Sequence, residues 1–299
     1  MSGLSIVVVT WNSAGEIGPL LESIRTHLED EHEVVVVDNA STDATADIVG
    51  ASPGPVRLIE NRGNVGFGAA NNQGVRAARH DAVVLLNPDT LLVDGSLATL
   101  AARAVRERAL CGPRLLNADG TLQPSASALP GRWEDTLRLV LPAALMPKPL
   151  ARRCEPWRSE RDAEVGWLTG ACLAAPRDIL LELGPFDERI HLYSEDLDLG
   201  LRARKTGVRS LFLPTAARVV HLADRSSSQA FPDAGAGASA RNRHRAVARH
   251  HGRARAAYDL AVQQAHHRVR LAAKAALRRD TSRERAWLRA LRTVRRLES

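Results

Sequence analysis

The sequence predicts an α/β protein with a mostly parallel central sheet, helices on both of its faces, and a basic helical tail. Three observations carry this. Four short apolar runs, Leu4 to Thr10, Glu33 to Val37, Val56 to Ile59 and Ala82 to Leu86, are continuous rather than alternating, as strands buried on both faces are. Segments with helical apolar spacing, such as Ile17, Leu20, Leu21 and Ile24, separate them, which is the strand–helix–strand order of a doubly wound sheet. Charge is also unevenly divided: residues 241–299 hold 17 Arg or Lys against 4 Asp or Glu, whereas residues 1–240 hold 24 against 30.

A chain of 299 residues accommodates one large α/β domain plus an appendage. The body is mildly acidic and the tail strongly basic, which points to a polyanionic partner, either nucleic acid or an anionic membrane surface. Cys111, Cys154 and Cys172 are odd in number and form no CxxC pair or zinc pattern, so structural thiols in a reducing compartment are expected. Leu4 to Thr10 is too short and too strand-like for a signal peptide, and no apolar run reaches 18 residues. The expectation is a cytoplasmic protein.

In chain order, the first strand ends at Trp11-Asn12-Ser13, where Asn12 or Ser13 is expected to cap the next helix. The second runs into Asp38-Asn39-Ala40-Ser41-Thr42-Asp43, crowding polar side chains at the carboxyl end of a strand. No G-x-G-x-x-G follows the first strand, so the dinucleotide fingerprint is absent. Asp38 suits hydrogen bonds from a nucleotide base or ribose, with a helix cap as the competing reading. Asn61 to Gly74 is rich in Gly and Asn. Small residues there let backbone amides approach a phosphate or sugar, with Asn64 and Asn71 as neutral donors; a plain turn into a helix is the alternative.

The fourth strand closes at Asn87-Pro88-Asp89-Thr90. Its end lies where open α/β sheets bind ligands, and a carboxylate flanked by an amide suits a divalent cation held jointly with phosphates. A capping turn before the helix near Asp94 to Arg108 explains the same residues. From Gly112-Pro113 to about Glu164 the pattern is less regular. Leu137 to Met146 is apolar, broken by Pro142, and fits either a lid or interfacial patch or a small core helix. Val165 to Leu173 returns to strand character, and Pro176 opens a helix stopped at Gly184-Pro185. Ser194 reads as the cap of a helix beginning Glu195-Asp196, and an acidic residue there, near a cation site, is well placed as a general base. Val208 to Leu213 and Arg218 to His221 are further strands, His221 ending the second as a candidate metal or phosphate contact. Arg225 to Ser228 and Asp233 to Ala240 read as mobile loop. From Asn242 the chain becomes an Arg-rich amphipathic helical tail carrying Leu260, Val269, Leu271, Leu277, Leu288, Leu291 and Val294, suited to an anionic membrane surface.

Taken in order, Val8-Val9-Thr10-Trp11-Asn12, Val37-Asp38-Asn39-Ala40-Ser41-Thr42-Asp43, Asn64-Val65-Gly66-Phe67, Asn87-Pro88-Asp89 and Glu195-Asp196 resemble the family 2 glycosyltransferases with the GT-A fold. Trp167-Leu168-Thr169-Gly170-Ala171 and Phe186-Asp187-Glu188-Arg189 are most similar to the bacterial rhamnosyltransferase branch, which acts on polyprenyl-diphosphate-linked acceptors. The resemblance implies a catalytic domain over residues 1–223 and a helical extension over 224–299. It implies an inverting, metal-dependent transfer from a nucleoside-diphosphate sugar, with dTDP-rhamnose as the first choice of donor and another dTDP- or UDP-sugar as the alternative.

Residue by residue, it implies donor contacts from Thr10, Asn12, Asp38, Asn39, Asn64, Gly66, Asn87 and Asp89, with Asp38 on the pyrimidine base. It implies Mg²⁺ or Mn²⁺ at Asp89 with His221 completing the shell. Asp196 is then the base, Glu195 orients acceptor or base, and Trp167 and Gly170 face the acceptor. Asn87 stands where the usual D-x-D has its first Asp, which weakens metal affinity. The implied setting is the inner face of the cell membrane, with the tail as the peripheral contact, nucleic acid not expected and a homodimer left open. Two other readings stand beside this one: a nucleic-acid binder using the tail, and a nucleotide-sugar-binding scaffold without turnover.

Overall fold

The computed structural model describes residues 3–141, 145–222 and 234–296. β1 (Leu4–Thr10), β2 (His32–Asp38), β3 (Val56–Glu60) and β4 (Ala82–Leu86) form a parallel block in the order β3-β2-β1-β4. α1 (Ala14–His27), α2 (Thr45–Ala51) and α3 (Phe67–Ala77) are the crossovers. The chain winds outward from β1 to β3 and then returns to the far side of β1. That reversal leaves a crevice between the carboxyl ends of β1 and β4, where such sheets take ligands. The register sets Thr10 beside Asp38 and Val8 beside Leu86, so the polar residues after each strand emerge along one edge.

Alternate residues of the same strands feed two cores. Ile6, Val8, Val34, Val36, Val84 and Leu86 pack with Ile17, Leu20 and Ile24 of α1 and with Leu97 and Leu100 of α4 (Ser96–Glu107). Val7, Val35, Val37, Val83 and Leu85 pack on the other face with Val75, Leu180, Phe186 and Phe212. Two buried faces explain why the strands read as continuous apolar runs.

The sheet is extended by antiparallel β12 (Cys172–Pro176) beside β4, then β6 (Leu110–Gly112), β13 (Ser210–Phe212) and β10 (Ala163–Glu164). A second sheet sits at the crevice: β5 (Thr90–Leu92), β14 (Arg218–His221), β7 (Arg114–Leu116) and β8 (Leu122–Gln123). β5 takes up the three residues after Asp89, where the sequence offered a capping turn as one of two readings of Asn87 to Thr90, and it pairs Thr90 with His221. The segment expected to be irregular thus holds short strands, together with α5 (Trp133–Val140) and α6 (Lys148–Cys154). Of the apolar stretch 137–146, residues 142–144 lie outside the described part; Leu145 is exposed and Met146 buried. The strand expected over Val165 to Leu173 is broken at Thr169-Gly170. Its first part, β11 (Trp167–Leu168), pairs with β9 (Ala126–Ser127), and its second is β12. The three cysteines are buried and none forms a disulfide, and burial pushes the Cys111 thiol up to about 12.

α7 (Arg177–Leu183) ends at Gly184 with φ 62°, and α8 (Glu195–Lys205) follows. The tail is three helices: α9 (Ala234–His251), α10 (Arg253–Ala276) and α11 (Ser282–Arg296). The loop expected through Ala240 is corrected here. Ala234 to Ala240 already form the first turns of α9, because four of these seven residues are alanine and Ala240 is buried against Leu260, Leu291 and Val294. Arg225 to Ser228 lie outside the described residues. Much of the tail's apolar set therefore closes a core of its own, while Val269 and Leu277 remain 54% and 65% exposed. Among the described residues no helix is long and apolar enough to cross a membrane.

Candidate active site

Three groups of side chains gather along the carboxyl edge. The first joins the ends of β1 and β2 to the glycine loop before α3. Asp38 is buried and accepts hydrogen bonds from Thr10 Oγ1 at 2.7 Å and from the Ser41 amide at 2.8 Å, with Ser41 Oγ adding a third. A carboxylate offers roughly four acceptor positions, so one stays open to a ligand donor. Asn12, with φ 51°, accepts from the Thr42 amide and donates its own amide to Ser41 Oγ, each at 2.8 Å. It latches the two loops together and does not cap α1. Ser13 makes no side-chain cap either; Asp43 reaches across to the Ala14 amide at 3.1 Å instead.

Asn39, also buried, accepts from Asn61 Nδ2 at 3.0 Å and donates to the Gly66 carbonyl at 3.3 Å. Asn64 Oδ1 accepts from the Gly66 amide at 2.9 Å. Gly66 needs to be glycine: its φ is +91°, and a Cβ would lie 2.7 Å from His191 Nδ1. Thr10, Asn12, Asp38, Asn39, Asn64 and Gly66 therefore form one connected network. Asn71 is not part of it, being turned inward with Nδ2 on the Phe67 carbonyl.

The second group surrounds Asp89. His221 Nε2 stands 3.2 Å from Asp89 Oδ1 and 3.5 Å from Asn87 Nδ2. Gln123 decides the state of this ring. Its Nε2 donates to Asn117 Oδ1 at 2.9 Å and to the His221 carbonyl at 3.3 Å, so its Oε1 is the atom left facing His221 Nδ1 at 2.7 Å. Nδ1 thus carries a hydrogen and, in the neutral ring, Nε2 points its lone pair at a carboxylate. That contact is favourable only with a proton or a cation between them. Asn87 Oδ1 is buried beside them without a hydrogen-bond partner. A carboxylate, an imidazole nitrogen and an amide oxygen fit a hard divalent cation that takes its other ligands from phosphates and water. Among the described residues no group of three or more His, Cys, Asp or Glu forms a self-sufficient metal cage. Gln123 had no mark in the sequence beyond the Asp119-Gly120 turn ahead of it.

The third group is the start of α8. Asp196 Oδ2 accepts the Gly170 amide at 3.2 Å and Oδ1 the Leu197 amide at 2.7 Å. Glu195 is buried and its Oε2 has no partner. Burial raises both carboxyls above the usual range, and the Asp196 charge raises Glu195 further. Two amide donors favour the ionised form of Asp196, whereas burial and the Asp196 charge favour the protonated form of Glu195. The backbone ties this group to the second: Ala171, next to Gly170, accepts the Asn87 amide at 3.0 Å. Gly170 packs beside both: a Cβ there would make ordinary contact with the Phe67 ring at 3.6 Å and the Asp196 Cβ at 3.7 Å. Trp167 is half-buried, packed with Leu129, Leu197, Leu201 and Ala246 and fitted into the gap left by Gly200, so it braces α8. Ser194 occupies the cap position, but its hydroxyl turns to the Ser239 carbonyl.

Residues 5–146 match the family model described as glycosyl transferase family 2. The chain is 32% identical over 242 residues to an N-acetylglucosaminyl-diphospho-decaprenol L-rhamnosyltransferase of Mycobacterium tuberculosis, a match covering 74% of this chain and 76% of that protein. Among solved structures it resembles a mannosyltransferase from Pyrobaculum calidifontis in complex with GDP-Man and Mn²⁺, with a TM-score of 0.59 at 19% identity, covering 97% of this chain and 84% of that one. It also resembles S. aureus TarS, with a TM-score of 0.57 at 17% identity, covering 96% and 78%. At these identities the structural likenesses speak for the fold alone.

Proposed function

The chain belongs to the family 2 glycosyltransferases and is a glycosyltransferase with a GT-A-like fold, and we propose that it moves rhamnose from dTDP-rhamnose to a hydroxyl of a polyprenyl-diphosphate-linked glycan. The observation that carries the reading is the tie between the two halves of the crevice. Asn87 and Asp196 hang on adjacent residues, Ala171 and Gly170, so a base and a diphosphate site face one gap. The choice of sugar and acceptor rests on the mycobacterial relative.

In this reading Asp38, Thr10 and Asn64 receive the nucleotide base and ribose, and the Gly66 loop approaches the diphosphate. Asn87, Asp89 and His221 hold Mg²⁺ or Mn²⁺, which when bound offsets the charge that builds on the leaving diphosphate. Asp196 takes the proton of the acceptor hydroxyl as its oxygen attacks the anomeric carbon. The bond from that carbon to the diphosphate oxygen breaks, and a single displacement inverts the configuration. Residues 1–223 form the catalytic domain. The 224–299 extension seats the enzyme on the anionic inner face of the membrane, with Val269 and Leu277 exposed among Arg268, Arg270, Arg278 and Arg279.

A donor screen tests this. With Mn²⁺ and N-acetylglucosaminyl-diphospho-polyprenol, dTDP-rhamnose is consumed while UDP-glucose, UDP-galactose, UDP-N-acetylglucosamine and GDP-mannose are not, and EDTA stops turnover. Preference for another donor overturns the sugar, and turnover indifferent to EDTA overturns the metal.

A further inference from the structure

We propose that Asn242 of α9 is a positioning residue for the Glu195–Asp196 pair, acting through the two left-handed residues that lead into α8. The proposal rests on Asp196 being the base. Tyr193 and Ser194 have φ of 67° and 68°, two consecutive non-glycine residues in a region that L-residues avoid and seldom occupy in succession. Such a pair persists only where the surroundings determine it. Asn242 does so: its Nδ2 donates to the Leu192 carbonyl at 3.0 Å and to the Tyr193 carbonyl at 3.2 Å.

Two further contacts from α9 hold the same turn. Ser194 Oγ donates to the Ser239 carbonyl at 3.4 Å. The Tyr193 ring lies over Gly235, where a Cβ would come 3.2 Å from its hydroxyl. Farther along, α9 grips α8 directly: His250 Nε2 is 3.0 Å from Asp198 Oδ1, and Ala246 packs against Leu197 and Leu201. The left-handed pair fixes the direction in which α8 starts, since the Asp198 amide already donates to the Ser194 carbonyl at 3.1 Å. Asp196 lies within that first turn, and its hold on the Gly170 amide depends on where the turn points. The first tail helix is therefore built into the alignment of the base.

The test compares Asn242→Ala, Ser194→Gly and the double variant, in the full chain. Asn242→Ala lowers kcat for dTDP-rhamnose on N-acetylglucosaminyl-diphospho-polyprenol by about tenfold or more, with donor KM within about twofold. Ser194→Gly in that background restores most of the loss, because glycine takes φ > 0 freely. A readout independent of substrate is hydrogen exchange: Asn242→Ala speeds exchange of the amides of 194–198 and leaves α10 and α11 protected, and Ser194→Gly reverses part of the change. Unchanged exchange at 194–198, or faster exchange that Ser194→Gly does not relieve, overturns the proposal. Asp196→Asn, run in parallel, reads the base assignment separately: turnover retained there removes the base, whereas a failed rescue removes only the role of Asn242.

Discussion

His221 presents Nε2 to Asp89 Oδ1 at 3.2 Å, and the Nδ1 hydrogen on the other side of the ring is held by Gln123 at 2.7 Å. A ligand so oriented loses affinity when its outer partner is removed, typically about 10- to 100-fold. Gln123→Ala is expected to weaken Mn²⁺ binding in the presence of dTDP by that order, and His221→Ala by at least as much. Mn²⁺ titration followed by electron paramagnetic resonance checks this; equal affinity in Gln123→Ala and the parent would remove the orienting role.

The two carboxyls at the start of α8 differ in their hydrogen bonds: Asp196 accepts two backbone amides, whereas Glu195 Oε2 accepts none. A base must be ionised, so kcat/KM falls as pH drops through the Asp196 pKa, which burial lifts above the usual carboxylate range. The acid limb is therefore expected at higher pH than an exposed Asp would give. Glu195→Gln mimics the protonated side chain and keeps that limb and the neutral-pH rate, whereas Asp196→Asn costs about 100-fold or more. A pH–rate profile in which Glu195→Gln removes the acid limb would exchange the two roles.

Gly66→Ala places a methyl against His191 at a φ of +91°. The loop either strains or opens, and with it the contact from Asn39 to the Gly66 carbonyl. Strain of this kind costs about 1–3 kcal/mol, so Tm should fall by roughly a few degrees and dTDP affinity by calorimetry by about tenfold or more. Unaltered affinity would place the diphosphate away from this loop.

Glu284, buried in the tail, is ringed by His267 at 2.7 Å, Lys274 at 3.1 Å and Arg270 at 3.2 Å. Glu284→Ala leaves Arg270 and Lys274 without their counter-charge and is expected to destabilise the tail by about 2 kcal/mol, reduced from the value for fully buried pairs because Arg270 is half-exposed. Burial opposes ionisation, yet the three partners hold the carboxyl down to about 2. Its contribution is therefore complete above the unfolded value of 4.5 and is lost as pH falls towards 2. Thermal melts of parent and variant should converge at the acid end. A constant gap between them would refute the assignment.

The exposed end of α10 carries the membrane reading. Val269→Asp with Leu277→Asp should reduce co-sedimentation with phosphatidylglycerol vesicles, as should about 0.5 M salt for the parent, because screening removes the arginine contribution. Binding insensitive to both would move the contact elsewhere.

How much of this was legible follows from the kind of signal involved. The strand ends carrying Thr10, Asp38 and Asn87 were readable because strands buried on both faces read as near-continuous apolar runs, and the polar residues closing each run mark the edge. The Asn12 and Ser13 caps were misread: Ser13 makes no cap hydrogen bond, and the Ala14 amide turns to Asp43, 29 residues away. Periodicity said nothing of Gln123, whose meaning lies in a ring 98 residues distant. Ala234 to Ala240 read as loop because helix propensity without a partner is weak, and the partner is the α10–α11 pair.

The sequence by itself determined the parallel sheet, the order of its elements and the identity of the polar residues at its carboxyl edge, since these depend on local periodicity and on what can be buried. Tertiary structure alone decided which of those residues meet. Asn87 and His221, 134 residues apart, are joined only because β5 and β14 pair. Asp196 meets the Gly170 amide, 26 residues away in sequence, only because the start of α8 packs beside the turn between β11 and β12. Side-chain hydrogen bonds of this kind act over about 3 Å and follow from packing, which no spacing along the chain encodes.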